Sequence, residues 1–157
     1  MALEDDIALF ETVPTLALLG SQALRILAIG AEEQHVNSGT VLFYAGEPGN
    51  AGYVIQHGSF RLLPGAQRRG EAELTLGRGA LIGELALISG NLRPATAIAL
   101  EDSSVIRIPR TLFLKVLEGY PEAARALRDV IVARLGEWTR ELTPIRAKLS
   151  DGEPAKE

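Results

Sequence analysis

Glycine recurs at short intervals through residues 34–108 of this chain, and this spacing constrains the fold more than any other feature. Between the glycines lie short apolar or alternating runs, for example at 53–56, 60–63 and 105–108. Runs of about five residues separated by turn residues are typical of antiparallel strands in a sandwich or barrel. The pattern therefore predicts an antiparallel β-roll over residues 34–108.

The segment before the β-roll has a helical pattern. Residues 7–33 carry apolar side chains at spacings of three and four, with breaks at Pro14 and Gly20. The hydroxyl of Ser21 can accept a hydrogen bond from a first-turn amide, which predicts a helix over about residues 22–31. We expect short N-terminal helices here.

The segment after the β-roll is also predicted to be helical. Within residues 109–149, an apolar stripe ends at Gly119, and Pro121 opens a longer amphipathic helix that runs to about 142. Residues 150–157 are polar and predict a frayed tail. The length of 157 residues fits one domain, which we place at residues 1–149.

Composition excludes several classes of function. The chain has no Cys and only two His, so thiol chemistry, disulfides and a histidine-rich metal site are not expected. Its formal net charge of -4 does not favour nucleic acid or anionic lipid as a main partner. The acidic N-terminus is unlike a signal peptide and no apolar run is long enough to span a bilayer, so we expect a cytoplasmic protein. The excess of Arg over Lys indicates a bacterial genome rich in G and C.

Residues 81–96 contain the side chains best suited to bind a ligand. Gly83 permits close approach of the backbone, and the following residues favour one or two helical turns inside the β-roll. Glu84 can accept a hydrogen bond from a hydroxyl, and Arg93 has a planar guanidinium that suits two oxygens of one phosphate. This combination predicts a cradle for a sugar phosphate.

The same segment resembles the phosphate-binding cassette of the cyclic nucleotide-binding domain family. The matching positions are Gly83, Glu84, Leu85, Ala86, Leu87, Arg93, Ala95 and Thr96. The glycine and aromatic pattern of residues 39–58 and the closing helices also match, so the resemblance covers about residues 9–142. It implies an α+β fold, an eight-stranded antiparallel jelly-roll barrel (a double-stranded β-helix) flanked by N-terminal and C-terminal helices.

The resemblance also implies a role for each matched residue. Glu84 would accept from the ribose 2′-hydroxyl, Arg93 would pair with the cyclic phosphate, and the Ala86 amide would donate to a phosphate oxygen. Gly83 would contact the ribose through its backbone, and Thr96 would place a hydroxyl near the base or phosphate. Leu85, Pro94 and Ala95 complete the predicted binding set.

Pro94 departs from the family pattern, which has a small residue after the arginine. Proline has no N–H, so one amide directed at the phosphate is missing. Pro94 also lacks the hydroxyl that the family often uses to prefer guanine, and we therefore expect cyclic AMP rather than cyclic GMP.

The resemblance implies a regulatory sensor that is not an enzyme and needs no cofactor or metal. Cyclic nucleotide would bind in the cassette and the helices of 109–142 would repack over it. Only fifteen residues follow Leu142, too few for the DNA-reading helices that some relatives append, so we expect a stand-alone sensor that acts through an unidentified downstream protein. The helix of 121–142 could form a homodimer, in which Trp138 would lie in the core or dimer seam or would cover the base.

Other interpretations remain open at this stage. Glu84 and Arg93 could pair with each other on a surface turn. The fold could also persist with a weakened, ligand-silent cassette and serve only as an interaction or dimerisation module, as Pro94 suggests. A metal-dependent enzyme of the cupin type is disfavoured because His35 and His57 lack the spacing of metal ligands.

Overall fold

The computed structural model describes residues 2–65, 70, 72–88, 92–130 and 133. The helices in these parts are α1 (Ala2–Glu11), α2 (Pro14–Ala17), α3 (Ser21–Gly30), α4 (Glu84–Ile88), α5 (Arg110–Gly119) and α6 (residues 121–130). The strands are β1 (Glu32–Val36), β2 (Val41–Phe43), β3 (Ala51–His57), β4 (Phe60–Pro64), β5 (Leu74–Leu76), β6 (Leu81–Ile82), β7 (Ala95–Ala99) and β8 (Ser103–Pro109).

The strands form two four-stranded antiparallel sheets. Their orders are β1-β8-β3-β6 in the first sheet and β2-β7-β4-β5 in the second. The expectation of one closed eight-stranded barrel is wrong, because no ladder within the described ranges joins one sheet to the other. The edge strands β5 and β6 have only three and two residues, so they offer few backbone groups for a further ladder.

The central strands β3 and β8 of the first sheet are buried on both faces, which explains their nearly continuous apolar sequence. Val54, Ile106 and Ile108 of this sheet belong to a cluster with the helices. Tyr53 and Ile55 belong instead to the cluster that fills the space between the two sheets. Successive residues of β3 therefore contribute to two different cores, as the alternation of side chains along a strand requires.

Two details of the N-terminal half differ from the sequence prediction. Ser21 is the first residue of α3 and not its cap. Gly20 occupies the cap position with φ +88°, so the helix has no side-chain cap. Strand β1 does not stand out in the sequence because four of its five residues are exposed. It joins the sheet through its pairing with β8, where Glu32 lies opposite Arg107.

The C-terminal helices have the predicted boundaries at Gly119 and Pro121, as far as they are described. Helix α5 ends at Gly119, and α6 begins at Pro121. Ala123 and Leu127 of α6 pack into the cluster formed by the helices and the first sheet. Trp138, the later part of the predicted helix of 121–142, the loop tip at 66–69 and the tail at 150–157 lie outside the described residues.

Candidate functional site

The turn from β6 into α4 requires glycine at position 83. Gly83 has φ +78°, a conformation that residues with a side chain rarely adopt. A Cβ atom at this position would press against Nη1 of Arg93 and would lie 3.3 Å from the carbonyl oxygen of Ala51. The backbone of Gly83 therefore lies directly against the Arg93 guanidinium.

The backbone of Arg93 is held by the loop between β2 and β3. Its N–H donates to the carbonyl of Glu47 at 2.7 Å, and its carbonyl accepts from the N–H of Gly46 at 2.8 Å. Leu92 and Pro48 form an antiparallel bridge beside this pair. The two loops are thereby joined at the residue that the sequence identifies as the phosphate ligand.

The side chain of Arg93 turns into the protein, where only 6% of the residue is exposed. Its Cζ lies 4.1 Å from the centre of the Phe43 ring and 5.7 Å from the centre of the Tyr53 ring. On another side, a Cβ atom at Gly49 would lie only 2.8 Å from Nε and 2.9 Å from Cζ. Two glycines and two aromatic rings thus line the slot that holds the guanidinium.

The electrostatics of this slot favour an anion. Nη1 of Arg93 is buried and has no hydrogen-bond partner in the described parts of the chain. Burial lowers the pKa of the Arg93 guanidinium, an effect that Tyr53 and Glu47 oppose and Arg107 reinforces. Arginine nevertheless keeps its charge in proteins. A buried cation with an unused N–H donor has a strong physical preference for a negatively charged partner.

Glu84, the first residue of α4, contacts the N-terminal helices. The hydroxyl of Thr15 in α2 donates to Oε2 of Glu84. None of the ion pairs found in the described chain joins Glu84 to Arg93, so the alternative of a simple surface pair between them is not supported. Glu84 contacts Thr15, whereas Arg93 contacts Phe43 and Gly83.

The remaining predicted ligand residues are used partly by the fold itself. The Ala86 amide, predicted to donate to a phosphate oxygen, donates to the carbonyl of Gly83 at 3.0 Å in this structure. The Thr96 hydroxyl accepts from the amide of Ala45 at 2.8 Å, and the carbonyl of Pro94 accepts from the amide of Gly65 at 2.9 Å.

The structure brings Gly83, Ala86 and Arg93 together with Gly49, since a Cβ at Gly49 would lie 3.0 Å from that of Ala86. Ala95 and Thr96 begin β7, where Ala95 pairs with Pro64. Leu85 lies in α4 between Glu84 and Ala86.

Sequence reasoning did not assign site roles to several residues that shape the slot. Phe43, Tyr53 and Gly49 belong to the recognised glycine and aromatic pattern, but only the fold shows that they contact Arg93. Arg110, the first residue of α5, donates from Nη1 to the carbonyl of Gly49 at 2.8 Å and to that of Ala86 at 3.2 Å. No sequence signal indicated that this arginine joins the two walls of the slot.

The described residues contain neither a candidate metal site nor a candidate membrane-spanning helix. They contain no group of three or more His, Asp or Glu side chains placed to hold a metal ion. The same parts of the chain contain no helix that is long and apolar enough to cross a membrane.

Comparison with known proteins agrees with the geometry of the slot. The family model described as cyclic nucleotide-binding domain matches residues 33–120, which is more than half of the chain. Over 107 residues, the chain is 35% identical to the cyclic AMP receptor protein of Thermus thermophilus, covering 66% of this chain and 49% of that protein.

Two further relatives show how the matching region occurs in other proteins. A lysophospholipase of Pyricularia oryzae is 31% identical over 101 residues, which is 64% of this chain but only 7% of the enzyme. The N-terminal domain of a transcriptional regulator from Streptomyces coelicolor superposes with a TM-score of 0.74 at 28% identity, covering 85% of this chain and 94% of that domain. The chain thus spans less than half of the receptor and a small part of the lysophospholipase.

Proposed function

The chain belongs to the cyclic nucleotide-binding domain family, and we propose that it is a regulatory module whose ligand is cyclic AMP. The observation that carries the proposal is the buried Nη1 of Arg93, which has no partner within the described chain and lies against Gly83. A cyclic phosphate carries one negative charge and two exocyclic oxygens, so it would supply both the charge and the acceptor that this guanidinium lacks. Glu84 would accept from the ribose 2′-hydroxyl.

The choice of cyclic AMP over cyclic GMP is supported by Pro94 and by one relative. Pro94 offers neither an N–H nor a hydroxyl to a guanine base or to the phosphate. The relative with 35% identity is a cyclic AMP receptor protein. Cyclic GMP is the second ligand of this proposal, with weaker binding.

Binding is coupled to the C-terminal helices in this proposal. Arg110 joins α5 to the walls of the slot, so a ligand that moves α4 would also act on α5. A ligand can shift such an equilibrium only by its difference in affinity for the two arrangements. The signal would pass to a partner protein or to a second copy of the chain through the segment that begins at 121.

The Arg93→Leu variant tests the ligand assignment. Leucine is apolar and removes the charge and all donors, so we expect the affinity for cyclic AMP to fall at least about a hundredfold. Isothermal titration calorimetry measures this change, and thermal unfolding without ligand checks that the variant is folded.

An exposed arginine serves as the matched control. Arg61→Leu on β4 changes the same residue type outside the slot, and its cyclic AMP affinity should equal that of the unaltered chain. Retention of binding by Arg93→Leu, or equal loss in both variants, would refute the proposed role of Arg93.

A ligand-silent interaction module is the second candidate function. Pro94 and the internally bonded Ala86 amide favour it, because both reduce the number of donors that a phosphate can use. Absence of both heat and a thermal shift with the unaltered chain at millimolar cyclic AMP and cyclic GMP would select this function over the first.

A further inference from the structure

Thr15 in α2 reaches across the fold to the residue that we assign to the ribose. Its hydroxyl donates to Oε2 of Glu84, a contact between positions 69 residues apart in the sequence. Thr15 itself is buried, with 5% of the residue exposed, and Leu16 beside it is completely buried. The hydroxyl is therefore presented from a firmly packed part of the chain.

The position of α2 is fixed by its buried apolar side chains and by the proline and hydrogen bond of its first turn. Pro14 is suited to the first helical position, and the amide of Ala17 closes the turn by donating to the carbonyl of Val13 at 2.8 Å. Val13 and Leu16 both belong to the cluster between the helices and the first sheet. A side chain on this short helix thus has little freedom to follow a moving partner.

Glu84 differs from Thr15 in this respect. A glutamate has three rotatable bonds, and ordering such a side chain has a cost in conformational entropy. A hydrogen bond from a buried hydroxyl to a carboxylate is of the strong, charge-assisted kind. The Thr15 contact therefore selects one orientation of the Glu84 carboxylate before any ligand arrives.

We propose that Thr15 is a positioning residue that orients the Glu84 carboxylate to accept the 2′-hydroxyl of a ribose, and so contributes to the preference for ribonucleotides over 2′-deoxyribonucleotides. This inference rests on the proposed function. Thr15 acts only through Glu84, so its effect should appear with ligands that have a 2′-hydroxyl and disappear with ligands that lack one.

The experiment compares cyclic AMP with 2′-deoxy cyclic AMP by isothermal titration calorimetry. Thr15→Val keeps the shape of threonine and removes the donor, so we expect the dissociation constant for cyclic AMP to rise about tenfold. The dissociation constant for 2′-deoxy cyclic AMP should change by less than about twofold, because that ligand makes no bond that Glu84 must be oriented to accept. Thr15→Ser retains a hydroxyl and should restore most of the cyclic AMP affinity.

A double variant separates positioning from general loosening of α2. In a Glu84→Ala background, which has no acceptor for the Thr15 hydroxyl, Thr15→Val should weaken cyclic AMP binding by less than about twofold. Thermal unfolding without ligand verifies that each variant is folded, and Thr15→Ala allows the same comparison if valine is not accommodated.

The outcomes are distinct. Equal weakening for both nucleotides, no weakening, or tighter binding of cyclic AMP by Thr15→Val would overturn the inference while leaving the proposed function intact. Failure of the unaltered chain to bind either nucleotide would overturn the proposed function itself, and this inference with it.

Discussion

Gly49 and Gly83 determine where the Arg93 side chain can lie. Gly83 is required for two reasons, since its backbone is left-handed and the Arg93 guanidinium lies against it. Gly49 is required for space alone, because its φ is not in the left-handed region. The slot therefore depends on the absence of two Cβ atoms as much as on the presence of one guanidinium.

The Gly49→Ala variant tests this steric argument. The added Cβ would stand 2.8 Å from Nε of Arg93 and 3.0 Å from the Cβ of Ala86, so one of the two must move. Overpacking of this kind typically costs about 1–3 kcal/mol of folding free energy. We expect a loss of stability in this range in urea unfolding, together with weaker cyclic AMP binding.

Gly119→Ala provides the control for that measurement. Gly119 ends α5, and a Cβ there would meet nothing within 4 Å. Its substitution should leave both stability and binding close to those of the unaltered chain. A Gly49→Ala variant as stable as Gly119→Ala would contradict the claim that the slot has no space for a Cβ atom at position 49.

At the scale of secondary-structure elements, Arg110 links α4, α5 and the loop before β3. Its guanidinium donates to carbonyls of Gly49 and Ala86, and its amide donates to the carbonyl of Asn50 at 2.8 Å. Helix α4 has only five residues, and isolated helices of that length are not stable. The tertiary contacts of α4, including this arginine, therefore account for its existence.

The Arg110→Met variant should loosen α4 in particular. Methionine retains much of the apolar length but leaves the two carbonyls without this donor, at a cost of about 1–3 kcal/mol. We expect faster hydrogen exchange of the α4 amides and a lower urea midpoint. Lys115→Met on the exposed face of α5 is the matched control and should change neither. Unchanged exchange in Arg110→Met would mean that other contacts hold α4.

The sequence indicated those elements that carry their own chemical signal. The glycine spacing and apolar runs predicted β3, β4 and β8, and the good helix formers after Gly83 predicted α4. Strand β1 carried no such signal, because its mostly polar residues are exposed and only its pairing with β8 makes it a strand. Closure into a barrel could not be judged either, since it depends on edge strands as short as β6.

The candidate site was predictable to the same extent. Gly83 and Arg93 stand at recognisable offsets, and the structure places them in contact. The bond from Thr15 to Glu84 joins two packed elements far apart in the sequence, so no local pattern could reveal it. The stacking of Arg93 on Phe43 likewise depends on how two loops meet.

At the scale of the whole molecule, a polar contact connects the helical layer to the first sheet. The amide of Gln56 in β3 donates to Oδ1 of Asp6 in α1 at 3.3 Å, and Gln56 in turn accepts from the hydroxyl of Ser104 at 3.0 Å. Burial raises the pKa of Asp6 above its ordinary value of 3.8, and Glu33 and Asp5 reinforce this effect. The ionised carboxylate is therefore less favourable in the folded chain than in the unfolded one.

This shift fixes the sign of a pH effect. Because the folded-state pKa is raised, the folded chain binds more protons than the unfolded chain between 3.8 and the raised value, and stability falls as the pH rises through that window. Asp6→Asn keeps an acceptor for Gln56 and removes the charge. We expect it to raise the thermal midpoint at pH 7 and to lose that advantage as the pH falls toward 3.8. An equal gain at all pH values, or a loss at pH 7, would contradict this assignment.

The burial of strand β3 on both of its faces has a practical consequence for protein engineering. Tyr53 and Ile55 belong to the interior that includes the Arg93 slot, whereas Val54 between them supports the helices. The surroundings of Arg93 and the packing of the helices thus depend on alternate positions of one strand. One set of positions can be randomised while the other is left unchanged, so the surroundings of Arg93 can be altered separately from the packing of the helices.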